Sequence, residues 1–323
     1  MRILLWHVHG SWTTSFVQGG HDYLVPVTAD RGPDGLGRAR TWDWPPNVRE
    51  VAPENLADTG VDVVVLQRPH ELELAGRWLG RRPGYDVPAV YVEHNTPEGD
   101  VPDTRHPLAG QDRIPIAHVT AFNQLFWDCD GARTVVIDHG IVDPGLRYTG
   151  EVNRAAVVVN DPVRRGRSVG TDLLPRVAVV GGLDVFGMRV DLLPDVLRLP
   201  SDQLRVHEDL PQERMHHELA RRRVYVHTAR WTSLGLSLLE AMHLGMPVVA
   251  VAATEVPAAV PPEAGLVTAR HELLTRGVAT YLADHDLAVE TGRAARRYAL
   301  EHYGLKRFLR RWDGLLRSAV DGR

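Results

Sequence analysis

Short runs rich in valine, isoleucine and leucine alternate with amphipathic segments along the whole chain. In the first half these runs lie at 3–8, 23–27, 61–67, 89–94, 114–120 and 134–138, and in the second half at 156–160, 177–181, 204–207, 224–228, 247–250 and 265–267. Strands that alternate with helical segments are typical of parallel sheets covered by helices on both faces. The pattern therefore predicts an α/β protein with two doubly wound parallel sheets.

Residues 142–153 interrupt this alternation, because they contain Pro144, Gly145 and Gly150 and show little hydrophobic periodicity. Such a segment is typical of a linker between domains. We therefore expect an N-terminal domain at 1–150, a C-terminal domain at 151–304 and a final helix at 305–323. The final helix carries an apolar stripe that needs a partner, formed by Phe308, Leu309, Trp312, Leu315 and Leu316.

Composition narrows the class of protein. A chain of 323 residues with 44% hydrophobic and 24% charged residues suits two globular domains rather than a disordered or fibrous protein. No run approaches the ~18 consecutive apolar residues of a membrane span. The formal net charge of −4 argues against a nucleic acid partner. A single cysteine, Cys129, and the lack of a signal-peptide pattern near Met1 predict a cytoplasmic location.

The most informative segment is 224–249, whose pattern predicts a strand, a glycine-containing loop, a helix and a second strand. Gly235 permits close approach of a ligand to the backbone, and the free amide groups of a helix that begins at Leu236 would receive a diphosphate. Ser237 adds a hydroxyl at the start of this helix. Glu240 lies in the second turn, where its carboxylate is a candidate for binding the two ribose hydroxyls. The alternative is that Glu240 is a solvated helix residue.

The stretch from Thr232 to Glu240, followed by the sequence AMHLGMPVV, resembles the signature of retaining GT-B glycosyltransferases of family 4. In that family a glutamate at the start of the stretch faces the transferred sugar, and a second glutamate at its end faces the ribose. Glu240 matches the second glutamate. Thr232 occupies the first position, where its hydroxyl can still hydrogen-bond a sugar. The resemblance implies the GT-B fold: two facing Rossmann-like domains with a C-terminal helix that returns to the N-terminal domain.

The resemblance also implies the chemistry. A metal-independent enzyme would transfer the sugar with retention of configuration, and the departing diphosphate would help to deprotonate the acceptor. The nucleotide sugar is then a substrate, and neither a cofactor nor a metal is expected. The acceptor stays open among a saccharide, a lipid and a small metabolite. Two other functions stay open: a catalytically weak nucleotide-sugar-binding subunit of a partner transferase, which the departure at Thr232 favours, and a GT-B nucleotide-sugar epimerase.

A second segment, 157–172, follows the first strand of the C-terminal half and carries Arg164, Arg165 and Arg167. It resembles the family's donor loop, in which an arginine and a lysine neutralise the leaving diphosphate. The only lysine of this chain is Lys306, so the three arginines are the candidates, and a guanidinium suits phosphate by its planar fork. We favour Arg164 and Arg167 as catalytic, with Arg165 as a further donor-binding residue. Solvated surface charge is the alternative interpretation.

Polar residues at other strand ends complete the candidate site. His207 and Glu208 are candidates for the wall of the nucleotide-base pocket, and Asp209 is expected to cap the next helix. In the N-terminal half, Gly10 follows the first strand and permits a tight turn against the donor. His94 ends another strand, and the resemblance implies that it contacts the transferred sugar near the reacting carbon.

Other motifs carry less weight. His139 is as consistent with a structural role as with a functional one. The triplets at 128–130 and 284–286 have the Asp-x-Asp spacing of metal-dependent transferases, but both fall at helix ends. The chain has no P-loop, no Gly-x-Gly-x-x-Gly after the first strand and no Gly-x-Ser-x-Gly elbow. Arg77, Arg81 and Arg82 lie near Trp78 and Leu79 and would suit anionic lipid, but a solvated helix end is the favoured interpretation.

Overall fold

The structure, a computed structural model, describes residues 1–322. It divides into two compact units: unit 1 contains Met1–Val142 together with the C-terminal segment from Leu305, and unit 2 contains Asp143–Gly304. The division falls after Val142, before the position near residue 150 that the sequence pattern favours. The reason is local, because the amides of Arg147 and Tyr148 donate to the carbonyl of Leu244 and fix this segment to unit 2.

Unit 1 is built on a seven-stranded sheet. Its strands are β1 (Arg2–Leu5), β2 (Asp22–Pro26), β3 (Val48–Val51), β4 (Val63–Leu66), β5 (Ala89–Glu93), β6 (Ile116–His118) and β7 (Thr134–Val136). They lie in the order β3-β2-β1-β4-β5-β6-β7, and every pair is parallel. The edge strand β3 is not among the six predicted strands, because Val48 alone is buried while Arg49 and Glu50 are exposed.

Three helices precede the linker in unit 1: α1 (Gly10–Phe16), α2 (Glu71–Leu79) and α3 (Ala121–Phe126). The helix α2 begins with Glu71 in its first turn and ends at Gly80, whose φ of 63° stops the helix. The helix α3 begins after Thr120, whose side chain accepts a hydrogen bond from the amide of Asn123. It ends at Phe126, because Trp127 has extended backbone.

Unit 2 repeats the pattern with a six-stranded sheet. Its strands are β8 (Val152–Val158), β9 (Leu183–Gly187), β10 (Leu204–Glu208), β11 (Arg222–His227), β12 (Val248–Val251) and β13 (Gly265–Thr268). They lie in the order β10-β9-β8-β11-β12-β13, again all parallel. The helices are α4 (Pro162–Arg165), α5 (Leu174–Gly181), α6 (Leu193–Leu197), α7 (Gln212–Arg221), α8 (Leu236–Leu244), α9 (Val256–Ala259), α10 (His271–Ala283) and α11 (His285–His302). The predicted helix that begins at Leu236 is confirmed, and it ends at Leu244.

The strand predicted at 177–181 is wrong, because these residues form the end of α5 and the strand β9 follows them. Val177 is buried while Val179 is 65% exposed, so the two residues do not share a covered face as alternate residues of a strand would. Gly182, with a φ of 87°, ends the helix and turns the chain into β9. A short apolar run of this length does not distinguish a strand from a buried helix by periodicity.

The last helix, α12 (Leu305–Asp321), belongs to unit 1, where it contacts α1, β4 and β5. The ring of Trp312 is 1% exposed and meets Trp12 and Phe16 edge-on, at centroid distances of 5.5 and 5.2 Å. Phe308 occupies the space beside Gly140, where an added Cβ would lie 2.3 Å from the Phe308 Cβ. The apolar stripe of α12 is therefore covered within unit 1.

Within residues 1–322, no helix is both long enough and apolar enough to cross a bilayer. The apolar residues beside the α2 arginines face inward. Trp78 stacks on Trp6 with ring centroids 5.9 Å apart, and Leu79 is buried in the core of unit 1. Leu79 is thus not available to a lipid surface, and Trp78 is partly buried.

Candidate functional site

Two loops of unit 2 meet at the carboxyl end of its sheet, one after β8 and one after β11. The carbonyl of Ser168 accepts the amides of Arg230 and Trp231 at 2.8 and 3.0 Å, and the hydroxyl of Thr228 donates to the carbonyl of Val169 at 2.8 Å. Gly170 has a φ of 78°, and an added Cβ there would lie 2.1 Å from the carbonyl oxygen of Thr228. The fold therefore brings the arginine segment 164–167 against the loop that leads to α8.

The arginines of the first loop differ in their surroundings. The side chains of Arg164 and Arg167 are 71% and 76% exposed and pair with Asp161 and Asp172, the second pair at 2.8 Å. Arg165 is half-buried, and this burial, with Arg164 nearby, lowers the pKa of its guanidinium. Across residues 1–322 Arg165 has no close ion-pair partner, although the charge of Asp161 offsets part of the fall in its pKa.

Arg230 is a cation of this site that is not among the residues predicted from the sequence. Its guanidinium binds both carboxylate oxygens of Asp172, at 2.6 and 3.0 Å, and also donates to the carbonyl of Arg167 at 2.9 Å. Arg230 thereby fixes the position of the arginine loop. Its place two residues before Thr232 was the available signal, but nothing in the sequence shows that this loop reaches Asp172.

The start of α8 has the geometry of an anion site. Gly235 is the N-cap residue, and an added Cβ there would lie 2.5 Å from the imidazole of His227, so a side chain has no room. Leu236 begins the helix, whose first amides are free of intrahelical partners and carry the positive end of the helix dipole. The hydroxyl of Ser237 lies 3.0 Å from that of Tyr225. Thr232 is half-buried in the preceding loop.

Glu240 is not a solvated helix residue, because it is only 4% exposed. One carboxylate oxygen lies 3.3 Å from Nε2 of His216, and the other accepts the side-chain amide of Gln212 at 3.3 Å. Both partners belong to α7, so α7 orients the carboxylate. A carboxylate has about four lone-pair positions, so these two contacts leave acceptor capacity for hydroxyls.

His207 and Glu208 lie on the edge strand β10, where other groups of unit 2 already bind them. The imidazole of His207 stacks on Phe186 at 4.3 Å, and its Nε2 lies 3.3 Å from the carboxylate of Asp184. The carboxylate of Glu208 accepts the amides of residues 189–191 at 2.7–3.2 Å. The structure brings neither side chain to Glu240, and their predicted contact with a base stays a prediction.

The expectation that Asp209 caps a helix is wrong. Asp209 takes a left-handed backbone conformation with a φ of 41°, and α7 begins only at Gln212, after Pro211.

Nearby, the carboxylate of Asp184 is fully buried and forms an ion pair with Arg222. Burial alone would raise the pKa of this carboxyl. Hydrogen bonds from His207, Arg154 and Arg222 outweigh burial and lower that pKa. This buried network stabilises the charged form at the edge of the sheet.

In unit 1, His94 follows β5 and is held in one orientation. The side-chain amide nitrogen of Gln67 donates to the carbonyl of Trp6 at 2.6 Å, so its Oε1 faces Nε2 of His94 at 3.1 Å as an acceptor. Nε2 therefore carries the proton. Burial, with His9 and His139 nearby, holds the pKa of His94 well below its ordinary value, so the ring is neutral and Nδ1 is an acceptor.

Two further histidines accompany His94. The rings of His9 and His94 lie 4.0 Å apart between centroids. Burial, and secondly the charge of Arg68, lowers the pKa of His9 to about 4, while burial, and secondly His9, lowers the pKa of His139 to about 3. The three imidazoles are thus neutral near pH 7. His9 is not among the residues predicted from the sequence, because only the fold brings the ends of β1 and β5 together.

Gly10 does not offer open space to a ligand. An added Cβ there would lie 2.4 Å from the indole of Trp42, so packing of this ring on the start of α1 requires a glycine. The predicted contact of Gly10 with a donor stays a prediction.

Within residues 1–322, no group of three or more His, Cys, Asp or Glu side chains is arranged to hold a metal ion. In the 128–130 triplet, Asp130 pairs with Arg105 at 2.5 Å.

The chain is similar to glycosyltransferases in sequence over part of its length and in structure over nearly all of it. Residues 197–298 match the family described as Glycosyl transferases group 1, and no curated protein matches the chain in sequence. Sucrose-phosphate synthase from Thermosynechococcus elongatus superposes with a TM-score of 0.75 at 15% identity, with 100% of both chains covered. HepE of Anabaena in complex with UDP gives a TM-score of 0.70 at 14% identity, with 98% of this chain and 100% of HepE covered.

A glycosyltransferase from Rickettsia africae gives a TM-score of 0.68 at 14% identity, with 100% of this chain and 99% of the other covered. At sequence identities this low, the structural similarity establishes the fold alone. The family match covers α7, β11, α8 and β12, the elements that position Glu240 and the start of α8. The predicted fold class is confirmed: the chain has the GT-B fold, and its segment 197–298 matches the family described as Glycosyl transferases group 1.

Proposed function

We propose that the chain transfers a sugar from a nucleotide-sugar donor, bound by unit 2, to a hydroxyl group of an acceptor. The observation that carries this proposal is the junction of the loops after β8 and β11, which brings Arg165 and Arg167 beside the loop that leads to α8. The same helix carries the buried Glu240 and lies in the segment that matches group 1 glycosyltransferases. The presence of UDP in the HepE structure supports a nucleoside diphosphate as the product.

The arginine loop and the start of α8 are proposed to stabilise the leaving diphosphate. Negative charge develops on the diphosphate as the bond to the sugar breaks, and fixed cations and helix amides lower the energy of that state. A charge-assisted hydrogen bond contributes about 1.5–3 kcal/mol. Arg164 and Arg167 are proposed to exchange part of their contact with Asp161 and Asp172 for the anion. Arg165 gains a close ion-pair partner.

Glu240 is proposed to accept the two ribose hydroxyls. Its burial and its contacts to His216 and Gln212 support this role, because they fix the carboxylate before the ligand arrives. A ribose is common to all nucleotide sugars, so this contact contributes affinity without selecting the sugar. Selection of the sugar is proposed to involve Thr232. In unit 1, the neutral ring of His94 offers Nδ1 to a hydroxyl, and a sugar contact of His94 is proposed from the resemblance to family 4 alone.

In the proposed reaction, the bond between the anomeric carbon and the diphosphate oxygen breaks, and a bond from the acceptor oxygen to the same carbon forms on the same face. The acceptor proton goes to the departing diphosphate. Retention of configuration and metal independence are parts of this proposal. The arginines and the helix dipole supply the charge that a divalent cation would otherwise supply. The acceptor class is a saccharide, a lipid or a small metabolite.

A second candidate function rests on Thr232, which has no carboxylate to face the sugar. A chain with a complete diphosphate site and a weak sugar site would bind nucleotide sugars and assist a partner transferase. The purified chain alone separates the two functions. A partner subunit would bind the donor without releasing the nucleoside diphosphate, whereas a transferase releases it when an acceptor is added.

The experiment incubates the purified chain with UDP-, GDP-, TDP- and ADP-glucose, with and without a mixture of saccharide acceptors, and measures nucleoside diphosphate release. We expect release with one nucleotide, stimulated by acceptor, unchanged by EDTA and lost in the Arg164→Ala/Arg167→Ala double variant. NMR of the product would show the retained anomer. Conversion of the donor sugar without acceptor would instead identify an epimerase. No binding of any of the four donors would refute the proposed function.

A further inference from the structure

His227, the last residue of β11, is a buried histidine with one unused ring nitrogen. Its side chain is 5% exposed, and within residues 1–322 Nε2 has no hydrogen-bond partner. Nε2 is also buried from solvent, beside the N-cap residue Gly235. A buried polar atom without a partner destabilises the arrangement that contains it, so each such atom needs an explanation. A hydrogen-bond partner for Nε2 of His227 would therefore stabilise this part of the chain.

The imidazole faces the start of α8. A Cβ added at Gly235, the N-cap residue, would lie 2.5 Å from Cε1 of His227, 3.2 Å from Nε2 and 3.4 Å from Nδ1. The Cε1 edge therefore points at the N-cap, with one nitrogen on each side. Nδ1 is occupied, because it lies 3.5 Å from the hydroxyl of Tyr225. Nε2 is therefore the ring nitrogen that has no hydrogen bond within the described residues, and it lies beside the start of α8.

A short chain of hydroxyls determines which nitrogen holds the proton. Burial raises the pKa of Tyr225, so its hydroxyl stays protonated, and this hydroxyl lies 3.0 Å from the hydroxyl of Ser237. When Ser237 donates to Tyr225 and Tyr225 donates to Nδ1, Nε2 carries a proton. The reverse arrangement makes Nε2 an acceptor. An anion at the start of α8 favours the first arrangement, because it attracts an N–H group and repels a lone pair.

We propose that His227 is a binding residue of the donor site: its Nε2–H binds a phosphate oxygen at the start of α8 once the 229–235 loop shifts. This inference rests on the proposed function and deepens it. The unpaired Nε2 destabilises the closed loop of the free chain, and the diphosphate relieves that penalty when it opens the loop. The contact adds a neutral donor to a site whose two exposed arginines already share their charge with Asp161 and Asp172. This hydrogen bond therefore strengthens binding of the diphosphate and does not affect binding of the nucleoside, which has no phosphate.

The experiment compares binding of UDP, GDP, ADP and TDP, and of the matching nucleosides, by calorimetry. The variant His227→Phe keeps a ring and removes the N–H, while His227→Gln places an amide N–H near the position of Nε2. We expect His227→Phe to weaken binding of the preferred diphosphate about tenfold or more, with nucleoside affinity unchanged, and His227→Gln to retain most of the affinity. Nε2 of His227 in the wild-type chain should shift in ¹⁵N NMR with the diphosphate and not with the nucleoside.

His243→Phe is the matched control. His243 lies at the other end of α8, is fully buried, and also has an Nε2 without a partner within residues 1–322, but its Nδ1 is bound to the carbonyl of Leu239. This variant should leave diphosphate affinity unchanged. Equal loss for diphosphate and nucleoside, full diphosphate affinity in His227→Phe, or an unchanged His227 resonance overturns the inference while the proposed function stands. A wild-type chain that binds none of the four diphosphates overturns both.

Discussion

Replacing Trp312 by alanine measures what the C-terminal helix contributes to unit 1. The indole is 1% exposed and packs edge-on against Trp12 and Phe16. A buried tryptophan removes about 150–250 Å² from water, which at about 25 cal/mol/Å² corresponds to roughly 4–6 kcal/mol. Truncation of a buried tryptophan to alanine costs about 3–5 kcal/mol. We expect the free energy of unfolding of unit 1 to fall by that amount, a large share of a typical domain's stability.

Tryptophan fluorescence reports this change selectively. Seven of the eight tryptophans lie in unit 1, and Trp231 alone lies in unit 2. Denaturant unfolding followed by fluorescence therefore measures mainly unit 1. Arg310→Ala, an exposed change on the same helix, is the control and should shift the free energy by less than about 0.5 kcal/mol. Trp312→Phe should cost less than alanine, because it keeps a ring and removes an indole N–H that has no partner in the described chain.

Binding by unit 2 supplies the second measurement. Nucleoside diphosphate affinity of Trp312→Ala should equal that of the wild-type chain, because every residue assigned to the diphosphate and the ribose belongs to unit 2. A loss of less than about 1 kcal/mol in the fluorescence transition would refute the reasoning from burial. An equal loss of diphosphate binding would show that α12 supports unit 2 as well.

Three further predictions concern charge. Arg164→Ala with Arg167→Ala should abolish transfer without lowering the midpoint of thermal unfolding, because both side chains are exposed; unchanged turnover would contradict the diphosphate site. Glu240→Gln should weaken nucleoside diphosphate binding about tenfold in calorimetry while the ranking of donor sugars persists, and undiminished affinity would exclude the ribose contact. Unit 1 should lose stability as pH falls below 6.5, the ordinary pKa of histidine, because folding lowers the pKa of His9 to about 4 and that of His139 to about 3. Between these pH values the unfolded chain binds more protons than the folded one. Equal fluorescence-detected stability at pH 7 and pH 5 would exclude this effect.

The sequence alone determined the fold class and the start of α8. Alternation of apolar runs and helical segments predicts parallel sheets, because helices must cross over between parallel strands. The bounds of α8 follow from the glycines that flank it, Gly235 and Gly245, of which the second takes a φ of 89°. Local signals of this kind depend on neighbouring residues and are visible in one sequence. The same reasoning failed at 177–181, where the apolar run contains no periodicity that separates a helix from a strand.

Tertiary structure decided the rest of the site, because its contacts join residues that are far apart in the chain. Arg230 reaches Asp172 only because the loops after β8 and β11 meet at one edge of the sheet. Glu240 owes its orientation to α7, and the neutral state of His94 follows from burial beside histidines at other strand ends. The unused nitrogen of His227 is likewise a property of packing. Burial and pairing depend on which segments meet in space, and no local pattern in the sequence records that meeting.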